Sequence, residues 1–444
     1  MFDPTVFDRF AIGFSLGIHI LLVMFGIAIP VIILLADYLW VRNGDKAYKT
    51  LSSRLLTVFA ILFAVGAASG ALVAIELLVL WPKFMALVGQ VAISTLNVEV
   101  IVFFMETIFL VAYLFYRDTF SNKNVRLVFM LFVAVGSALS GVLITLLNAF
   151  MNTPVGFNIQ AYLQNGTVTD VHPFAVLFAS PSGGIEVPHV LSAVYFAGSV
   201  VLMAYFSLML MRSRDEIAKE YYRKALRLAF AVCLVAAAFA IITGILSIEN
   251  LRVLQPEKYA AIELNLNSIA NAPEIIGGTI VNGSVRGAII AIPGLQSMLA
   301  GVGTAAVPGL AQFPQSTWPP LFIHPLFDVM VMLGFAMGGF LALVLLLHIV
   351  RVKALEMRVV QLLLVLVGLG AVLLLEIGWV VDEVGRQPWI IYNVMTVSQA
   401  ANQSAFASGL ALLIVIAYAV VLPATYLVIR KVFSKRPLTG ELEA

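Results

Sequence analysis

Residues 359–389 read VVQLLLVLVGLGAVLLLEIGWVVDEVGRQPW. From Val359 to Leu375 there is no charge and one amide, Gln361. A helix rises about 1.5 Å per residue, so roughly 20 apolar residues cross the hydrocarbon core of a bilayer. Glu376, Asp382 and Glu383 then interrupt the run, and Glu376, Trp379 and Glu383 share one stripe of a helix. Pro388 has no amide proton and disfavours helix in the residue before it, so the helix is expected to end there. That sets Arg386 and Gln387 at a membrane interface beside Trp389. An arginine there clamps a carboxylate or serves as an ordinary helix-end anchor.

The same texture recurs outward along the chain. Apolar segments lie at about 10–40, 54–81, 91–116, 126–150, 189–211, 225–247, 320–350, 359–384 and 405–430. Of 444 residues, 61% are hydrophobic and 11% charged, where a soluble chain carries about 25% charged residues. Mean hydropathy is +1.02. These values exclude a soluble enzyme, a nucleic-acid binder and a secreted scaffold. The runs are continuous rather than alternating, which excludes a β-barrel. The single cysteine, Cys233, lies in an apolar run. It rules out a disulfide framework, a cysteine zinc site, an iron–sulfur cluster and a CxxCH haem attachment. The expectation is an all-α, polytopic membrane bundle of about nine helices, one domain over 1–444, with no internal repeat and no nucleic-acid partner. The first segment opens on Asp3, Asp8 and Arg9 and is long, so it is expected to be a membrane helix rather than a cleavable signal.

Twenty of the 26 lysines and arginines fall after the first, third, fifth and seventh segments and at the C-terminal end. Positive charge marks the cytoplasmic side, so the N-terminus is expected outside and the C-terminus in the cytoplasm. Two long segments then lie outside. Residues 151–188 have no Lys or Arg and read as a structural lid. Residues 248–318, rich in Gly, Ala, Pro and Ile, suggest short helices lying over the bundle.

Ionisable side chains inside a membrane helix are expensive, so each is a functional candidate. They include His19, Glu76, Glu99, Glu106, His189, Asp328, Glu376, Asp382 and Glu383, with Met330 beside them in the seventh segment. His19 lies about 13 Å into its helix, and His189, Met330 and Glu376 also fall in the outer half. Single potential ligands on four helices suit haem iron better than zinc, because haem brings four nitrogens and needs one or two axial groups. Each also has a plain reading as a packing or hydrogen-bonding residue. Glu99 and Glu106 are seven apart, about 20° short of two full turns, and share a face. Such carboxyls either pass protons or bond neighbouring helices.

Together these residues resemble subunit I of the cytochrome bd quinol oxidases, across all nine segments. The run Gly385-Arg-Gln-Pro-Trp389 is highly specific to that family. The resemblance implies that His19 is the axial ligand of one high-spin haem and Glu376 of the other, and that His189 and Met330 hold a low-spin haem b. It implies a quinol site in the outer loop 248–318, with Lys258 and Glu263 in its functional positions. It also implies a proton route through Glu99, Glu106, Ser140 and Asn148, with Arg386 beside a haem propionate. The cofactors would be low-spin haem b, high-spin haem b, and haem d or a third haem b. The partners would be quinol, O2, a second integral membrane subunit and a small single-helix subunit, in a prokaryotic cell membrane. Two features depart from the family. Asp328 stands where an arginine is usual two residues before the methionine, so it either pairs with Arg386 or Lys258 or shares a proton with a propionate. Glu99 is one residue closer to Glu106 than is common, and the outer loop is of the short type.

The implied activity is quinol oxidation at the outer face and reduction of O2 to water at high-spin haem, separating charge without pumping. Two rival readings are a haem b electron carrier without oxygen chemistry and a proton-coupled transporter. The carrier would not need His19 and Glu376, and the transporter would show internal repeats.

Overall fold

The computed structural model describes residues 4–402 and 404–443, and Asp3 lies outside them. Nine helices among the described residues are long and apolar enough to cross a membrane. They are α1 (Pro4–Asn43), α2 (Lys46–Leu80), α3 (Ile93–Tyr116), α4 (Lys123–Asn152), α5 (Gly183–Arg212), α6 (Glu216–Leu254), α7 (Ile323–Ile349), α8 (Arg358–Gly385) and α9 (Ala405–Ser434). A bilayer offers no water to backbone N–H and C=O groups, so each apolar run closes its own hydrogen bonds as a helix. All nine expected segments are present. Several run past their apolar windows to polar caps. Asp45 accepts from the Ala47 N–H ahead of α2, and Asp215 from the Ile217 and Ala218 N–H groups ahead of α6. As expected from Pro388, α8 stops at Gly385. The chain continues as strand Trp389–Ile391, paired antiparallel with Met395–Thr396.

Small residues set the closest helix crossings. Gly198 of α5 faces Ala28 of α1, and Gly368 of α8 faces Ala204 of α5. A β-carbon on either glycine would collide with the alanine, so these crossings admit no larger residue. At the far end of α1 the bundle is held by charge instead. The buried Arg126 of α4 donates from Nε and Nη2 to the two carboxylate oxygens of Asp37 of α1, at 2.8 and 2.7 Å. Its Nη2 also donates to Ser52 Oγ of α2 at 3.1 Å, and the Tyr113 hydroxyl of α3 donates to the same Asp37 carboxylate. One ion pair thus joins four helices.

Segment 151–188 holds two short helices, Ile159–Asn165 and Ala175–Phe178. Segment 248–318 departs from the expected short helices. Pro256–Ile262 and Leu295–Leu299 are helical, but residues 269–307 also form three antiparallel strand pairs. The innermost pairs Thr279–Val281 with Ser284–Arg286 around Asn282 and Gly283, whose φ angles are 49° and 73°. Two successive positive φ values are what a tight two-residue hairpin turn requires.

Arg126→Gln leaves the Asp37 carboxylate buried without its cation, which costs about 3–5 kcal/mol. The thermal midpoint of the purified protein should fall markedly. Adding Asp37→Asn should recover most of the loss, and a double variant no better than the single one would rule out the pair as the cause.

Candidate functional site

Each of the four candidate ligand side chains lies against a glycine of a neighbouring helix. A β-carbon on Gly70 would sit 3.1 Å from His19 Cε1, and one on Gly244 3.4 Å from His189 Cε1. One on Gly378 would sit 3.4 Å from Met330 Sδ, and one on Gly17 2.9 Å from Glu376 Oε2. These approaches exist because the neighbour has no side chain there. Both imidazoles are fixed through one nitrogen. His19 Nδ1 is 3.2 Å from Ser69 Oγ, which the Tyr418 hydroxyl holds at 2.8 Å, and His189 Nδ1 is 3.1 Å from Thr243 Oγ1. Among the described residues neither Nε2 has a hydrogen-bond partner. One nitrogen anchored and the other free is how proteins present histidine to a metal. Glu376 packs on Gly17, two residues from His19, so these two candidates reach the same level of the bundle.

The segment that opened the sequence reading also tests the fit of haem to these residues. Glu376 Oε1, Arg386 Nε and Trp389 Nε1 are buried and have no hydrogen-bond partner among the described residues. An unspent carboxylate oxygen suits iron, and two unspent N–H donors suit haem propionates. The residues present therefore fit the group.

Arg386 itself, 2% exposed, is largely spent on protein. Its Nη1 donates to Asn148 Oδ1 at 2.9 Å and Asn152 Oδ1 at 2.7 Å, and its Nη2 to Glu383 Oε2 at 2.5 Å. Asn148 Nδ2 donates to Asp382 at 2.8 Å and Glu383 at 3.1 Å, and Asn152 Nδ2 to Glu186 Oε1 of α5 at 2.9 Å. Lys258 closes the network from segment 248–318, with Nζ 2.6 Å from Asp382 Oδ1 and 2.9 Å from its carbonyl. Its stem crosses Gly385, where a β-carbon would lie 2.8 Å from Lys258 Cε. The glycine of the Gly385–Trp389 run thus makes room for the lysine.

Lys258 and Glu263 are not brought together. Lys258 turns to α8, while Glu263 turns to α7 and the loop hairpin, within reach of Glu274 and Asp328. Burial, and then the Glu274 and Asp328 carboxyls, hold Glu263 well above the usual carboxylate range. Asp328 pairs with neither expected cation, because Arg386 and Lys258 are committed to Glu383 and Asp382. Its Oδ2 instead accepts from the Gly277 N–H at 2.6 Å and lies 3.4 Å from His324 Nε2. An aspartate one turn after His324 and at the foot of the hairpin has nearer partners than either cation.

The four proton-route candidates also divide. Glu106 accepts from the Ser137 hydroxyl, Glu99 lies within electrostatic reach of it, and Ser140 Oγ, one turn on, is buried without a partner. Asn148 sits about 12 Å further along α4, in the Arg386 network. Ser137, Asn152, Glu186 and Glu274 were not singled out from sequence. Ser137 precedes Ser140 by about one turn, Asn152 follows Asn148 by one turn, and Glu186 precedes His189 by three residues, so helical spacing carried a signal for those three.

The family description "Cytochrome bd terminal oxidase subunit I" matches residues 7–437. A Bacillus subtilis (strain 168) protein named putative cytochrome bd menaquinol oxidase subunit I is 33% identical over 447 residues, covering 99% of each chain. Cytochrome bd ubiquinol oxidase subunit 1 of the same organism is 26% identical over 405 residues, covering 88% of this chain and 85% of the relative. The solved structure of bd oxidase from Geobacillus thermodenitrificans superposes with a TM-score of 0.90 at 35% identity, covering 98% of this chain and 99% of that one. With family and fold in agreement from end to end, the chain belongs to the cytochrome bd terminal oxidase subunit I family, as a multi-pass membrane subunit of a prokaryotic respiratory oxidase.

Proposed function

We propose that the chain oxidises quinol at the outer face, through loop 248–318, and delivers the electrons inward for reduction of O2 to water. What carries this reading is one packing relation. Met330 lies in the same apolar cluster as Ala260, Ala261 and Ile262, the helix turn between Lys258 and Glu263. A quinol bound at that turn is therefore next to a candidate low-spin ligand.

In this reading the N-terminus faces outward and the C-terminus the cytoplasm. His189 and Met330 hold a low-spin haem b; His19 and Glu376 each hold a high-spin haem, one haem b and the other haem d or a third haem b. Bound haem would supply one-electron transfer and O2 chemistry. The protein's part is positioning and proton handling. Lys258 fixes the loop helix on α8 and offers its remaining N–H to a quinone oxygen, and Glu263 takes a proton from the quinol hydroxyl. Arg386 and Trp389 present N–H groups to haem carboxylates. Glu106 and Glu99, with Ser137 and Ser140, pass protons from the cytoplasmic side, and Asn148 links that helix face to the outer network. Protons consumed inside and released outside separate charge without a pumping step. A second membrane subunit and a small single-helix subunit complete the assembly. Membership of a terminal-oxidase family speaks against both rivals, the transporter and the oxygen-inactive carrier.

Three variants test the parts separately. Met330→Leu keeps side-chain volume, so the helical fold should survive while the low-spin absorption signature disappears; an unchanged low-spin spectrum would falsify the ligation. Lys258→Ala removes a charge-assisted bond of about 1.5–3 kcal/mol, so quinol oxidation should drop by roughly tenfold to a hundredfold with the haem spectrum intact. Loss of haem along with activity would make Lys258 purely structural. Glu106→Gln cannot ionise, and O2 consumption should slow by roughly a hundredfold while quinol still reduces the haems. Wild-type turnover in that variant would leave Glu106 as a helix–helix contact.

A further inference from the structure

The outer loop contains a second carboxyl that the reading above does not use. Glu274 lies on the half-buried strand Glu274–Ile276, which the hairpin folds back against the end of helix Pro256–Ile262. There its carboxyl comes within hydrogen-bond reach of Glu263, which is 4% exposed. Glu274 Oε2 is buried and takes no N–H or O–H from any described residue.

Among the described residues no lysine or arginine stands between the two. Of the groups that face them, α7 contributes Asp328 and His324, the loop helix contributes Tyr259, and α6 contributes Arg252. His324 Nδ1 is 2.6 Å from the Ile262 carbonyl, and its Nε2 is shared between the Gly277 carbonyl and Asp328. Arg252 Nε donates to the Ala300 carbonyl at 3.0 Å, and Lys258 is turned away to Asp382. Two carboxylates in contact repel, so such a pair binds one proton strongly and holds it between them.

We propose that Glu274 is a positioning residue for quinol oxidation: it turns Glu263 into a proton trap by sharing the proton that Glu263 takes from quinol. This rests on Glu263 being the quinol-side base. In each round an O–H bond of the quinol breaks and one forms on Glu263, with Glu274 accepting a hydrogen bond from it. The proton then leaves through Glu274, the more exposed of the two, to the outer water, and the ionised pair is restored. Two rounds clear both quinol protons. The two electrons leave separately toward the haem side, and the pair itself is neither oxidised nor reduced. Burial, and then the Glu274 and Asp328 carboxyls, push Glu263 upward, and burial and then the Asp328 carboxyl push Glu274 upward although the bond to Glu263 opposes it, so both move toward the pH at which a general base works best.

The test is the pH profile of turnover with a water-soluble short-chain quinol, using the complete purified oxidase. A base must be ionised to act, so its acid limb marks the pH at which it gains its resting proton. Glu274→Gln removes the repelling charge, Glu263 ionises more easily, and the acid limb should move to lower pH by about one unit or more. The haem absorption spectrum should not change. Glu274→Ala should give the same direction of shift, because charge and not shape sets it. An acid limb that stays in place in both variants, with Glu263→Gln inactive, would overturn the shared proton and leave the quinol site standing. Wild-type quinol oxidation by Glu263→Gln would instead overturn the site, and the pair with it.

Discussion

A guanidinium with almost no access to water must find its acceptors in protein, and this requirement on Arg386 organises the end of the bundle beneath segment 248–318. Its acceptors come from α4 and α8, and the asparagines it engages reach on to Glu186 of α5 and Asp382 of α8. Lys258 then fastens the loop helix to Asp382. The network holds three carboxyls, Glu186, Asp382 and Glu383, against two cations. In a low-dielectric setting the loss of any member leaves another buried and unmet. The position of segment 248–318 is thus dictated by the bundle beneath it, through charged side chains already committed to one another.

Much of the fold was legible because the bilayer leaves a chain few choices. Nine apolar runs became nine helices, and Pro388 ended α8 where its missing amide proton requires. The candidate ligands were legible as exceptions, polar or sulfur-bearing residues at outer depth on separate helices. Contacts over long chain separations were not. Nothing near Asp37 announces Arg126, 89 residues on, and nothing near Lys258 announces Asp382, 124 residues on. The loop hairpin is a different kind of miss. Asn282-Gly283 between Thr-Ile-Val and Ser-Val-Arg is a strong two-residue turn signal, overshadowed by the apolar composition of the whole segment. Asp328 is another long-range case: it accepts from the backbone N–H of Gly277, 51 residues back, which its place in the seventh segment does not announce.

Helix α4 connects regions that sequence reading had treated as one route. Ser137, one turn before Ser140, donates to Glu106 of α3, while Asn148 and Asn152 face Arg386. One helix therefore carries hydroxyls near the acids of α3 and amides where charges are held apart. The chemistry suits each end. A hydroxyl both donates and accepts as it rotates, whereas an amide offers a fixed acceptor to the arginine and fixed donors to the carboxyls.

The Asp37–Arg126 pair also bears on how the chain is assembled. Its halves belong to the first and second helical hairpins, so the aspartate is synthesised and inserted well before its cation exists. Asp37 lies about nine Å from the end of α1, near enough to the membrane surface to keep water while it waits. Closure of the pair then requires α1, α2, α3 and α4 all to be in place, since Ser52 and Tyr113 complete the same site. A chain whose second hairpin fails to insert therefore carries an acid at the end of α1 without its cation or its hydroxyl donor.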